Sequence, residues 1–266
     1  MRIVIDLQGA QNGSRHRGIG RYCAALAKAI VRNRGTHEVF ILLNGLFPET
    51  IDEIRNSFSG MLPEHHFVVF SATGPVDELN VENSWRVRSA ELLLEKFIDD
   101  LAPDIFLVSS LIEGACDNTV TSIGQLSSRV PTAAILYDLI PHLDPEKYIG
   151  WAPSRKWYYG KIDALKRADL LLAISHSARS EAIERLAVEE QRIVNISSAA
   201  DPSFSNSNVT RVDVNKVRTR YGIKRKFLMH SSAFDERKNF EGLIKAFALV
   251  KKGHAREISA RTSLQN

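Results

Sequence analysis

The sequence predicts an α/β protein built on a doubly wound parallel sheet. Three observations predict it. Short runs such as Ile3–Asp6, Glu38–Leu43 and Leu170–Ile174 are almost continuously apolar, as strands covered on both faces are. Helical segments alternate with these runs, which indicates crossover units rather than hairpins. The 266 residues are 44% hydrophobic and 25% charged, a globular balance that excludes disordered and collagenous chains.

In chain order, the strand Ile3–Asp6 leads through a glycine-bearing loop into a helix from Gly18 to about Arg34. Strands follow at Glu38–Leu43 and His66–Phe70. Trp85, Val87, Leu92, Leu93 and Phe97 recur at helical spacing within Glu82–Leu101. Next come strands at Asp104–Val108 and Thr132–Leu136, a helix at Ser154–Ala168, and the strand Leu170–Ile174. The helix Ser177–Leu186 and the strand Arg192–Ile196 complete a Rossmann-like domain, residues 1–204. Residues 205–215 are polar and read as a linker. The pattern then restarts over 216–266, with a helix at Lys216–Tyr221, a strand at Phe227–His230 and a helix at Phe240–Val250. The tail from Lys251 to Asn266 is polar and without period. It is expected to leave this second Rossmann-like unit incomplete, as a truncated or frameshifted gene would.

Composition narrows the function. No run reaches the ~18 apolar residues of a membrane span. The opening Met1-Arg2-Ile3-Val4-Ile5-Asp6 reaches an acid at once, so no signal peptide is expected. Two cysteines, Cys23 and Cys116, make no disulfide framework, and a reducing cytoplasm is the expected setting. A formal charge of +4 is compatible with an anionic ligand or peripheral contact at the inner membrane. Basic residues are scattered without an aromatic stripe, which argues against nucleic acid as a partner. The patterns G-x-x-x-x-G-K-[ST], H-E-x-x-H, paired C-x-x-C, D-x-D and G-x-S-x-G do not occur.

Ligands of open α/β sheets bind beyond the carboxyl ends of the strands, so the loops there hold the candidate site residues. The loop Leu7–Arg17 carries glycines and the basic triplet Arg15-His16-Arg17 into a helix that starts with Gly18-Ile19-Gly20. Glycine lets backbone N–H groups approach an anion, and the helix N-terminus adds partial positive charge. The fragment is a near miss to G-x-G-x-x-G, too far from its strand for a dinucleotide fingerprint. An NAD(P)-dependent oxidoreductase therefore stays as an alternative, beside a non-catalytic acceptor-binding fragment. Asp138 ends a buried strand and reads either as a hydrogen-bond acceptor for a polyol or as a loop cap. His142 follows it. Glu113 lies in the loop Ser109–Cys116, and Ser175 precedes a helix, where serine is a preferred cap. Arg237 and Lys238 stand before another helix, where cations oppose the helix dipole unless an anion is present.

Four stretches resemble family 4 glycosyltransferases. Gly18-Ile19-Gly20-Arg21-Tyr22 is similar to their glycine-rich first helix, and Ala168-Asp169-Leu170-Leu171-Leu172-Ala173-Ile174-Ser175 to their A-D-x-x-x-x-x-S strand. Val194–Ser197 through Asp201–Phe204 resembles the close of their first domain. Asp235-Glu236-Arg237-Lys238-Asn239 through Phe247 resembles the D-x-R-K-N-x-x-x-L-I-x-A-F that opens their second. Within the family, Met1–Gln11 and Leu136–Pro141 resemble bacterial O-antigen and polysaccharide enzymes, many of them mannosyltransferases.

The resemblance implies a GT-B fold, of which residues 1–204 form the acceptor-side half, and retaining transfer from a nucleotide-diphosphate sugar with GDP-mannose as the expected donor. The acceptor is a glycan or lipid-linked glycan, and neither metal nor other cofactor is required. It assigns Asp138 and Tyr137 to catalysis, and Gly18, Gly20, Arg237 and Lys238 to the donor diphosphate. Arg17, Glu113, His142 and Ser175 fall on the acceptor side. The chain departs from the family in having Tyr137 in place of histidine, and Ser232-Ala233 in place of Gly-Arg. It also lacks the paired glutamates: Glu181 and Glu189 have the spacing but fall in the first domain.

Overall fold

The computed structural model describes residues 1–126, 130–201, 204, 209–232, 236–250 and 258–264, the last of these by backbone alone. The chain divides into two compact units, Met1–Ala199 and Ala200–Asn266.

The first unit is a seven-stranded sheet, parallel throughout, of order β3-β2-β1-β4-β5-β6-β7. Its strands are β1 (Arg2–Asp6), β2 (Glu38–Asn44), β3 (Phe67–Phe70), β4 (Ile105–Val108), β5 (Thr132–Leu136), β6 (Leu170–Ala173) and β7 (Ile193–Asn195). The chain runs outward from β1 to β3, then returns to β4 on the other side of β1. In register, Ile5 lies between Ile41 and Leu107. A topological switch point therefore opens beyond the carboxyl ends of β1 and β4, where open sheets bind ligands.

Alternating side chains feed two cores, because successive strand residues face opposite ways. Val4, Leu42, Val108 and Leu136 pack against α3 (Ser84–Leu101) and α6 (Ala152–Arg167) through Leu94, Ile98, Ile162 and Leu165. Ile5, Ile41, Leu43 and Leu107 pack on the other face against α1 (Gly18–Arg32) and α2 (Pro48–Ser57), through Cys23, Ala27, Val31 and Ile54. All seven strands of this unit match predicted ones to within two residues at each end. The helix α2 escapes prediction because only Thr50 and Ile54 of its ten residues are buried. The short helices α4 (Ile140–Leu143) and α5 (Pro145–Tyr148) escape it because each is a single turn. The last helix on this sheet, α7 (His176–Leu186), starts where the serine cap predicts.

Between β4 and β5 the described residues, 109–126 in the main, are irregular, and side chains supply the hydrogen bonds that a ladder would. Gln8 Nε2 donates to Val120 O (2.7 Å) and Gln8 Oε1 accepts from Val120 N (2.9 Å), so one side chain pairs like a backbone neighbour. Buried Glu95 accepts from Ser122 Oγ (2.7 Å) and from the Gln125 and Leu126 amides. Arg167 Nε donates to Ile123 O (2.6 Å). Lys161, almost fully buried on α6, pairs with Glu78 (2.5 Å) and donates to Thr121 Oγ1 (2.7 Å).

The second unit begins its regular structure with α8 (Arg211–Arg220), ahead of the expected helix start at Lys216 and inside the stretch read as linker. The physical reason is a reciprocal cap: Thr210 Oγ1 accepts from the Asp213 amide (3.2 Å), and Asp213 Oδ2 accepts from the Thr210 amide (3.1 Å). The Thr210 hydroxyl, which donates to Asp213 Oδ2 (2.6 Å), and then the Thr210 amide hold the Asp213 carboxyl below its usual range. Next, β8 (Lys226–Ser232) pairs in parallel with β9 (Ile258–Leu264), and α9 (Phe240–Ala248) lies between them in sequence. The tail read as polar and without period thus contains a strand. Backbone pairing along all seven residues of β8 makes it one, despite a polar sequence that carries no clean alternation. Residues 205–208 of the expected linker, 233–235 of the expected ligand loop and 251–257 of the tail lie outside the described residues.

Removing Lys161 leaves the Glu78 carboxylate facing a dry wall. Lys161→Met is expected to lower unfolding free energy by about 3 kcal/mol in urea melts, and adding Glu78→Gln is expected to restore most of it. Equal stability of wild type and Lys161→Met would contradict the role given to the pair.

Candidate functional site

The switch-point crevice is floored by a buried polar network. Asp6, at the end of β1, accepts from the Gln8 amide (3.0 Å). Asn44, at the end of β2, donates through Nδ2 to Gln8 Oε1 (2.8 Å), and its amide donates to Gln11 Oε1 (2.7 Å). Asn12 Nδ2 donates to Glu113 Oε2 (2.8 Å), whose Oε1 accepts from Ser110 Oγ (2.8 Å). Burial raises the Glu113 carboxyl above its usual range, against the pull of Ser110 and Asn12. Burial likewise raises Asp6 to about 7, with the Gln8 hydrogen bonds opposing and Glu113 adding to the rise. Glu113 therefore braces the loops after β1 and β4 against each other.

The helix α1 starts at this crevice with no side-chain cap and no acid in its first turn, and Arg17 is its N-cap residue. Arg17 and Gly18 are exposed, whereas Gly20 is buried. A Cβ at Gly20 would lie 2.4 Å from Ser14 O and 2.5 Å from Arg15 Cα, both backbone atoms. Only glycine lets the basic loop fold back over the helix, and this holds Arg15, His16 and Arg17 beside its first turn.

Tyr137 and Asp138 leave β5 in opposite circumstances. The Tyr137 hydroxyl donates to Ser109 O (2.9 Å) and touches Cys23 Sγ (3.2 Å), and burial pushes its phenol strongly upward. Burial also lifts the Cys23 thiol to about 11, so both groups stay protonated and hold α1 to β4 and β5. Asp138 is exposed, with Oδ1 accepting from the Ile140 amide (3.1 Å). His142, on α4, is half-buried with its ring against Tyr159. Ser175 caps α7, its Oγ accepting from the Ala178 amide (3.1 Å). Beside Asp138 opens a cavity of about 310 Å³, whose walls include Ile19, Tyr148, Trp157 and Tyr158. Sequence reading missed the aromatic residues of this wall, because aromatic positions on a helix read as core. It missed Gln8, Asn12 and Asn44 too, although three amide side chains just after an apolar strand (Gln8, Gln11, Asn12) are a usable signal.

In the second unit, Arg237 and Lys238 are exposed in a 3-10 turn ahead of α9. Asn239 has a left-handed backbone (φ 46°) and caps α9 by accepting from the Gly242 amide (3.2 Å). A Cβ on residue 242 would overlap the Asn239 side chain at 2.4 Å. The glycine three residues after Asn239 thus follows from the cap.

The topology and the crevice define the Rossmann-like half of a GT-B fold. Anabaena HepE in complex with UDP-glucose superposes with a TM-score of 0.56, at 16% identity over 98% of this chain and 60% of that one. The UDP-GlcNAc 2-epimerase of Neisseria meningitidis, bound to UDP-GlcNAc, superposes at 0.58 and 12% identity, over 100% of this chain and 66% of that one. No protein-family model matches the chain. In sequence it is 35% identical over 251 residues to the serotype-specific mannosyltransferase WbdA of Escherichia coli, across 94% of this chain and 30% of the relative. Another WbdA from Escherichia coli is 32% identical over 226 residues, 85% of this chain and 28% of that protein. The chain is a homologue of these serotype-specific mannosyltransferases, in line with the family 4 resemblance of its motifs, and spans about a third of their length.

The raised Asp6 carboxyl gives a pH signature with a definite sign. The folded chain holds that proton more tightly than the unfolded chain, so its stabilising effect is complete below pH 3.8 and is lost as pH rises through about 7. Asp6→Asn keeps an oxygen for the Gln8 amide and removes the titration. Between pH 5 and 7 the wild type is expected to lose up to about 3 kcal/mol more than the variant in parallel denaturant melts. Matching pH slopes would show that Asp6 titrates normally.

Proposed function

We propose that this chain belongs to a retaining glycosyltransferase that moves a mannosyl group from GDP-mannose to a growing polysaccharide or lipid-linked glycan. In this reading residues 1–204 are the acceptor-side domain, and 216–266 belong to the nucleotide-sugar-binding domain. The observation that carries it is the uncapped N-terminus of α1 at the switch point, in a chain homologous to named mannosyltransferases over 94% of its length.

In the reaction the bond from the anomeric carbon to a diphosphate oxygen breaks. The acceptor hydroxyl oxygen bonds to that carbon on the same face, and its proton passes to the departing diphosphate. The charge that develops is on the diphosphate, so preorganised donors give the largest benefit. Backbone N–H groups at Gly18 and Gly20 and the cations Arg237 and Lys238 are assigned to it, without a metal or other cofactor. Asp138, exposed at the crevice, accepts hydrogen bonds from sugar hydroxyls. Tyr137 fixes the direction of Asp138 through its bond to Ser109, and Arg17, Glu113, His142 and Ser175 shape the acceptor side. Peripheral contact with the cytoplasmic face of the inner membrane belongs to the same proposal. Among the described residues no helix is long and apolar enough to cross a bilayer.

The test is calorimetric titration of the 266-residue chain with GDP-mannose, UDP-glucose and NAD. A nucleotide sugar is expected to bind and NAD is not, and Lys238→Ala is expected to weaken the nucleotide sugar about tenfold, or 1.4 kcal/mol. Binding of NAD without any nucleotide sugar would replace the transferase by an oxidoreductase. An unchanged Kd in Lys238→Ala would remove that residue from the donor site.

A further inference from the structure

We propose that the cavity between the end of β5 and α6 is a subsite for one hexopyranose ring of the acceptor glycan, held by Trp157 and Tyr158. That the ring belongs to an acceptor rests on the transferase reading above; that the cavity takes a sugar ring does not.

Two residues of its wall, Trp157 and Tyr158, each carry a buried donor, Nε1 and the hydroxyl, with no hydrogen-bond partner among the described residues. Tyr158 is only 1% exposed. The Asp138 carboxylate and the His142 amide act on its hydroxyl, but that amide already donates to Leu139 O (2.9 Å). Many buried polar side chains of this domain are satisfied, as at Gln8, Asn12, Glu95 and Lys161, and the other unpartnered ones among the described residues are Arg55 Nε, Ser109 Oγ and His142 Nδ1. A native fold rarely leaves a buried donor unpaired without a functional reason, and here two share one cavity.

The rest of the wall selects the ligand. It is largely apolar, with Leu136, Pro141 and Ile149 among its residues, and Asp138 supplies a carboxylate. A pyranose has an apolar C–H face for such a wall, ring and hydroxyl oxygens for the two donors, and hydroxyl protons for Asp138. A hydrocarbon chain would leave both donors unpaired, and an anion would meet the Asp138 carboxylate. The volume, about 310 Å³, is at the small end for ligand sites and suits one ring rather than an extended glycan. Ile19, from the first turn of α1, is also in the wall, so the ring would lie beside the helix end assigned to the diphosphate.

The experiment is a titration of the ¹⁵N-labelled 266-residue chain with the methyl α-pyranosides of mannose, glucose and galactose. The Trp157 indole N–H signal, assigned through Trp157→Phe, is the readout. At least one glycoside is expected to shift this signal saturably. Tyr158→Phe, which deletes only the unpaired hydroxyl, is expected to raise the Kd at least fivefold while leaving the thermal midpoint and the GDP-mannose affinity unchanged. No shift with any glycoside would overturn the proposal, as would an unchanged Kd in Tyr158→Phe or displacement of the glycoside by GMP. Should Tyr158→Phe fold poorly, the Kd of Trp157→Phe, read from the glycoside signals, decides in the same way. Glycoside binding without nucleotide-sugar binding would keep the ring site and reject the transferase reading. Nucleotide-sugar binding without glycoside binding would reject the ring site alone.

Discussion

The pairing of the Gln8 side chain with Val120 is the constraint on which the crevice depends. After β4 the chain must travel a long way before β5, and its backbone groups need partners while buried. Gln8 meets both polar atoms of Val120 and also accepts from Asn44, so it joins the ends of β1 and β2 to the irregular segment after β4. Glu95, Arg167 and Lys161 then fix the following residues to α3 and α6. A run such as residues 109–126 without regular structure is uncommon in a compact domain unless it is functional. Here it forms one wall of the crevice and positions Ser109, Ser110 and Glu113.

The sheet was legible in the sequence because its strands are buried on both faces, so apolar runs mark them without ambiguity. The site was legible only where local chemistry marks it. Ser175 could be read as a cap, since serine does that through its own hydroxyl, whereas Gly20 was expected to approach an anion and its close neighbours are the backbone of Ser14 and Arg15. The relation of Gln8 to Val120, or of Lys161 to Glu78, joins residues far apart in sequence, and nothing local announces it. The strand β9 was hidden for a related reason: its pairing with β8, rather than its own pattern, makes it a strand. Tyr137 was read as a site residue from its position, and its hydroxyl proves to be engaged with Ser109.

Fold and sequence carry different parts of the functional conclusion. HepE and the 2-epimerase share this topology at low identity, so the fold alone specifies no reaction. The similarity to mannosyltransferases supports the proposed reaction class, and the proposal puts it at a crevice with an uncapped helix start, a basic loop folded over it by Gly20, and the exposed Asp138. The buried carboxylates beneath are structural, kept from the solvent by the same network that shapes the surface above.

In the proposed function a sugar nucleotide engages the α1 N-terminus. Amide hydrogen exchange of the 266-residue chain, with and without saturating GDP-mannose, tests it directly. Slowed exchange is expected at Gly18–Arg21. Bound nucleotide sugar with exchange at Gly18–Arg21 unchanged would contradict it.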